Sequence, residues 1–239
     1  MLEAIDYPRI DTAAPVKPGT YAAAWKPVQE AVRQRIVIAP LDPLPRFVCG
    51  ADCAFGDGRF AKNSKRLIYA VALVWDRVEQ RVVEQAELVR PLDAPYIPTF
   101  LSFREGPALE EVIGKLTHPF GVITFDGQGM AHPRRCGVAS HVGVRLDVPS
   151  VGIAKSVLCG EHGELPDAAG ATAEMIHKGE IIGIALRTRE RVKPIYVSVG
   201  HRTDLGSAVK LALACVTRYR IPEPTRLADI EVAKLKARS

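Results

Sequence analysis

No two of the five cysteines, Cys49, Cys53, Cys136, Cys159 and Cys215, stand in a C-x-x-C spacing, and their number is odd. That argues against a disulfide framework and against a zinc knuckle, and leaves reduced, mostly buried thiols. No uninterrupted apolar run reaches the roughly 20 residues of a membrane-spanning helix. The opening stretch MLEAIDYPRIDTAAPVKPGTYAAAW has no basic start followed by a long apolar segment. The expectation is a soluble protein of the cytoplasm, with no membrane partner. No internal repeat and no low-complexity tract appears, so an array or solenoid is not expected.

What remains is the composition of an ordinary globular chain. Its 239 residues are 47% hydrophobic and 25% charged, enough for one sizeable core in a single domain. A net charge of +5 and a pI near 9.0 favour an anionic partner without demanding one.

Residues 1–20 mix Pro8, Pro15 and Pro18 with scattered charges, which predicts a loosely attached arm ahead of a domain over 21–239. The spacing of Val28, Val32 and Ile36 predicts a helix within 21–38, entered near Lys26 and Pro27. Three β-like runs follow at 46–55, 66–76 and 80–90, separated by short polar or glycine-containing stretches, so they read as a meander. Leu109, Val112, Ile113 and Leu116 repeat at helical spacing, with Pro107 suited to the first turn. Then come a strand at 121–125, a helix around 134–146, a strand at 150–154, two more β-like runs in EIIGIALRT and PIYVSVG, and a helix from Thr203. A meander followed by helix-separated strands points to a mixed α/β sheet covered by helices.

Several polar residues sit where apolar runs stop. Asp52 interrupts VCGADCAF, where an unpaired ionised carboxylate costs several kcal/mol; it needs a cationic partner, a bound cation or solvent at a strand edge. Asp126 repeats the pattern after the run 121–125, and Glu105 stands just before the predicted helix, where capping is the plain explanation. Were the three acids to converge, repulsion would raise their pKa values unless a divalent cation neutralised them, and hard oxygen ligands suit Mg²⁺ or Mn²⁺.

Lys155 ends SVGIAKS and His201 ends IYVSVGH, matching the place of Asp126 at the end of its run. Sites in open α/β sheets form outside the carboxyl ends of strands. In GQGMAHPRR, Gly127 and Gly129 expose backbone amides, His132 precedes a proline and so reads as extended, and Arg134 and Arg135 are either phosphate contacts or a solvated helix face. Tyr96 sits between Pro95 and Pro98 on a stiff turn, able to wedge into a base stack or simply to pack.

Taken in order, PYIPTFLSFREGPAL, FDGQGMAHPRRCGVASHVGV, PSVGIAKSVLCG, VGHR and IPEPTRLAD over residues 47–229 resemble the signatures of the endonuclease V family. The resemblance implies a ribonuclease H-like mixed sheet flanked by helices. It also implies a Mg²⁺- or Mn²⁺-dependent enzyme acting on deaminated purine in nucleic acid. The expected reaction is hydrolysis of the second phosphodiester bond 3′ to deoxyinosine, leaving 3′-hydroxyl and 5′-phosphate, a step in DNA repair.

Carried onto matching positions, Asp52, Glu105 and Asp126 are the expected metal carboxylates, with His201 in the metal or water shell. Lys155 is the expected phosphate or water-positioning group, and His132 resembles the histidine beside the catalytic acid. Pro95, Tyr96, Ile97 and Pro98 resemble the wedge, and Leu101, Gly127, Val138, Gly152 and Ala154 the pocket for the extruded base. Thr99 departs from the family where glycine is frequent, and Cys53 and Ala54 also depart from the usual pair after the first acid. Inosine-containing RNA as substrate, and a module that binds inosine without cutting, stand as the alternatives. The chain is expected to act as a monomer.

Overall fold

The computed structural model describes residues 6–8, 18–56 and 66–239. Of the expected arm over 1–20, residues 1–5 and 9–17 lie outside the described residues. Tyr7 packs against the domain: its hydroxyl donates to Glu110 at 2.6 Å, and its ring stacks on His141 with centroids 5.0 Å apart.

The run LIYAVALVWD forms β2, Leu67–Asp76, and its side chains alternate between two cores. Ile68, Ala70 and Ala72 face one way, with Cys49, Leu109, Val112, Ile123 and Val142. Tyr69 and Val71 face the other, against Val232 and Leu235, as do Leu73 and Trp75 against Ala228. A strand buried on both faces has to be apolar throughout, which is why this run shows no polar alternation. The fold is therefore helices, sheet, helices.

Beside β2 lie β1, Phe47–Gly56, and β3, Arg81–Pro91, both antiparallel to it. Next to β1 run β4, Val122–Phe125, and β5, Ser150–Ala154, both parallel to β1. The sheet continues through β6, Glu161–His162, β7, Thr172–His177, β8, Glu180–Leu186, and β9, Ile195–His201. Among the described residues its nine strands take the order β3-β2-β1-β4-β5-β9-β8-β7-β6. The expected meander and mixed sheet are present; β6 and β7 were not anticipated.

The helices are α1, Pro18–Arg33; α2, Leu101–Ile113; α3, Val138–Leu146; α4, Leu205–Ala214; and α5, Glu223–Arg238. Two begin earlier than proline placement predicts. Pro27 lies inside α1 and Pro107 inside α2, although an interior proline removes one helical hydrogen bond and costs about 3 kcal/mol. Packing between the two helices offsets that cost: Tyr21, Trp25, Phe100 and Phe103 form one aromatic cluster, with Trp25 stacked on Phe103 at 4.8 Å. The extension matters because it moves Glu105 from ahead of a helix to its buried face.

Helix α5 was not anticipated either, although Ala228, Val232 and Leu235 recur at i, i+4 and i+7. It lies directly on β1. A Cβ on Gly50 would stand 2.1 Å from the Pro224 carbonyl oxygen, so the absence of a side chain there lets the start of α5 touch the strand. The Thr225 and Thr124 hydroxyls meet at 3.2 Å alongside.

Candidate metal centre and base pocket

Strand register builds the acidic site. Ala51 pairs with Phe125 across the parallel β1–β4 ladder, so the following residues, Asp52 and Asp126, stand side by side. Alternation turns both towards α5, because Ala51 and Phe125 belong to the opposite core. Helix α5 adds Asp229, and carboxylate oxygens of Asp52, Asp126 and Asp229 all lie within 4.8 Å of one another. Glu105 reaches the same end of the sheet from α2 on the other face, is 8% exposed, and is not one of these three.

The electrostatics follow from that crowding. Burial, then the charges of Asp126 and Asp229, push the Asp52 carboxyl up to about 7, although the Cys53 amide donates to it at 2.8 Å. Burial raises Asp126 as well, against the pull of Lys155. Glu105 is raised well above the usual range by burial and by Asp52 and Asp126. Lys155, just past β5, sits 2.5 Å from Asp126 and 2.7 Å from Asp229. Burial disfavours its charge, but those two partners outweigh it and hold the ammonium. Three convergent hard oxygen donors, with the carboxyls of Asp52 and Asp126 raised, fit a divalent cation such as Mg²⁺ or Mn²⁺, which relieves their repulsion.

His201 is not brought there. Strand β9 runs antiparallel to β5, pairing Ser150 with His201 and Ala154 with Tyr196. The end of β9 therefore lies at the opposite edge from Lys155. His201 is buried, takes the Val37 amide on Nδ1 at 3.2 Å and meets Asp147 through Nε2 at 3.1 Å. Ending an apolar run carries meaning only once strand direction is known.

The glycine-rich loop folds back over β5. Gly129 N–H donates to Ser198 Oγ at 2.9 Å, and Met130 N–H to the Val199 carbonyl at 2.7 Å. Gly152 lies beneath, where a Cβ would come 2.4 Å from Gly129 N. Gly152 thus supports the loop, and Ala154 is buried in β5; neither is among the residues lining the pocket of about 100 Å³ beside the loop. Tyr96, Leu101, Gln128, His132 and Val138 do line it. Gly127 abuts Val138, whose Cγ1 would be 2.7 Å from an added Cβ.

Tyr96 is 65% exposed, as a wedge requires, whereas Ile97 turns inward to the aromatic cluster. His132 is buried and donates through Nε2 to the Thr99 carbonyl at 2.9 Å while accepting the Arg134 amide on Nδ1. Burial, then Arg134, pull its pKa down to about 4, so the ring is neutral. Both arginines are engaged internally instead of facing solvent. Arg134 binds Gln29 and Thr99, and Arg135 binds Glu180 and the His177 carbonyl.

A carboxylate cluster and a lysine at the carboxyl ends of parallel strands, next to a small pocket lined by an exposed tyrosine, form an arrangement suited to metal-assisted phosphate-ester chemistry. The family model for endonuclease V matches residues 30–230. Endonuclease V of Rippkaea orientalis is 43% identical over 204 residues, covering 85% of this chain and 86% of that protein. The crystal structure of endonuclease V from Streptomyces avermitilis superposes with a TM-score of 0.84 at 36% identity, covering 96% of this chain and 97% of that one. Endonuclease V of Ciona intestinalis, in complex with a 24-mer DNA containing an inosine followed by a ribo-adenosine, gives 0.77 at 28% identity, covering 92% and 100%. This chain belongs to the endonuclease V family, and its fold is the ribonuclease H-like sheet expected of it. Among the described residues, no helix is long and apolar enough to cross a membrane.

Asp229 is the functional candidate that sequence reasoning missed. It lies within IPEPTRLAD, but an acid on a solvated helix gives no local sign of its role; the apolar spacing that reveals α5 was the available signal.

Proposed function

We propose that this protein is a repair endonuclease of the cytoplasm that hydrolyses the second phosphodiester bond 3′ to deoxyinosine, leaving a 3′-hydroxyl and a 5′-phosphate. The observation that carries the reading is the convergence of Asp52, Asp126 and Asp229 within 4.8 Å beside Lys155. Asp52, Asp126 and Asp229 would hold Mg²⁺ or Mn²⁺, with Glu105 behind them at the same strand ends. When bound, such an ion supplies a polarised phosphate and a water of lowered pKa.

Lys155 offers the ammonium nearest the acids and would hold a non-bridging phosphate oxygen. Its ion pairs keep it charged, so it acts as an electrostatic clamp and not as a base. Tyr96 would fill the gap left by the extruded base, while the pocket walled by Leu101 and Val138 takes the base in. Extrusion costs a few kcal/mol and is cheapest for a poorly paired base, which contributes to selectivity.

The test is incubation with an end-labelled duplex carrying one deoxyinosine, in Mg²⁺ or in EDTA, with the cut mapped to the nucleotide. A Mg²⁺-dependent nick one nucleotide beyond the lesion is expected; a cut at the lesion itself, or one that survives EDTA, would refute the assignment. The ribo-adenosine after inosine in the Ciona complex favours one second reading, cleavage of inosine-containing RNA. Matched DNA and RNA strands in competition separate the two, since only RNA offers the 2′-hydroxyl.

A further inference from the structure

The turn that presents Tyr96 ends on a residue whose backbone conformation its own side chain disfavours. Phe100 N–H donates to the Ile97 carbonyl at 3.0 Å, closing a turn with Pro98 second and Thr99 third. Thr99 has φ 68°, a region where turns of this kind place glycine and where a β-branched residue is an outlier.

Donors from separate parts of the chain converge on it. The Thr99 carbonyl accepts from Gln29 Nε2 at 3.1 Å, His132 Nε2 at 2.9 Å and Arg134 Nη2 at 2.6 Å. The same Arg134 nitrogen reaches the Thr99 hydroxyl at 2.6 Å. Gln29, on α1 and 1% exposed, accepts from Arg134 Nε at 2.5 Å and donates to the Cys136 carbonyl at 3.1 Å. The Arg134 guanidinium also covers the Phe100 ring at 4.1 Å.

We propose that Thr99 is a positioning residue: its hydroxyl, held by Arg134, and its carbonyl, held by Arg134 and Gln29, fix the height at which Tyr96 stands beside the pocket, and so make α1 part of the lesion-opening apparatus. This rests on Tyr96 being the wedge of an inosine nuclease. A side chain that opens a base stack is pushed back by it, and a turn free to pivot at its third residue would yield. The clamp removes that pivot, and a hydroxyl at this position adds a contact that glycine lacks.

The test compares Thr99→Val, which keeps the β-branch and its strain but removes the hydroxyl, with Thr99→Ser, which keeps the hydroxyl. Nicking is measured on a deoxyinosine duplex and on the same strand alone, because a wedge acts only where there is a partner strand to part. Loss of one hydrogen bond to a charged group predicts that the duplex-to-single-strand rate ratio of Thr99→Val falls about tenfold, and that Thr99→Ser restores it. In EDTA, the fluorescence rise of 2-aminopurine placed next to deoxyinosine should shrink on binding Thr99→Val. Melting temperatures confirm that each variant is folded.

Equal losses on both substrates, or Thr99→Ser behaving as Thr99→Val, would overturn the clamp. A wild-type chain that nicks neither substrate refutes the nuclease reading. In that event a wild-type fluorescence rise lost in Thr99→Val still supports the clamp, and no rise in wild type removes it too.

Discussion

Gly152→Ala tests the support of the site without touching any of its charges. The new Cβ would lie 2.4 Å from Gly129 N, 2.7 Å from Gly127 O and 2.8 Å from Gln128 C, whereas such atoms rest at about 3.5 Å. Those neighbours are backbone, and β5 is held between β4 and β9, so the loop has to rise by roughly 1 Å. That lift pulls on the hydrogen bonds from Gly129 to Ser198 and from Met130 to Val199. Overpacking with two weakened bonds costs roughly 3 kcal/mol, a fall in Tm of roughly 6–12 °C for a domain of this size. A 1 Å misplacement next to Asp126 slows nicking by about a hundredfold. Thermal unfolding and single-turnover nicking read the two effects. Gly163→Ala is the control, since nothing lies within 4 Å of its added Cβ. Wild-type Tm and rate in Gly152→Ala would refute the reasoning.

Asp229→Asn removes one of the three convergent charges and should weaken Mn²⁺ binding by at least about tenfold, with nicking requiring correspondingly more metal; an unaltered metal titration would exclude Asp229 from the centre. His132 has its folded pKa pulled down to about 4, so its stabilisation is full above pH 6.5 and is lost as pH falls towards 4. The loss amounts to roughly 3 kcal/mol. Urea titrations at pH 7 and 4.5 should show that loss in wild type and much less of it in His132→Gln. Tyr7→Phe deletes the hydroxyl that donates to Glu110 at 2.6 Å and should cost about 1 kcal/mol. Glu110 keeps Arg145 at 2.6 Å, so a fall several times larger would mean that Tyr7 supports more than this bond.

Legibility differed with the kind of evidence each feature left along the chain. Strands β1, β2, β4 and β5 announced themselves because nearly continuous apolar runs of β-branched and small residues suit strands set deep in the sheet, whereas the more polar, largely accessible β3 was legible from its valines and the short polar stretch before it. Helices α1 and α2 were placed late because proline is a local signal, and the aromatic cluster of Trp25 and Phe103 overrides it. Glu105 was named as an acid of interest from its place ahead of a predicted helix, and its burial on α2 follows from that extension. His132 was expected on an extended loop, with nothing in the sequence to fix its burial; the carbonyl of Thr99 and the packing around it draw the ring inward.

By itself the sequence determined the layered α/β class, the family, and the identity of Asp52, Glu105, Asp126 and Lys155 as the polar residues that apolar runs deliver to strand ends and a helix. These are properties of short segments, where period and residue type suffice. Tertiary structure alone decided which of them meet. Parallel pairing sets Asp52 beside Asp126, antiparallel pairing carries His201 to the far edge, and the seat of α5 against Gly50 delivers Asp229. Strand direction and helix docking are fixed by burial shared among segments distant in sequence, so no single stretch of sequence carries them.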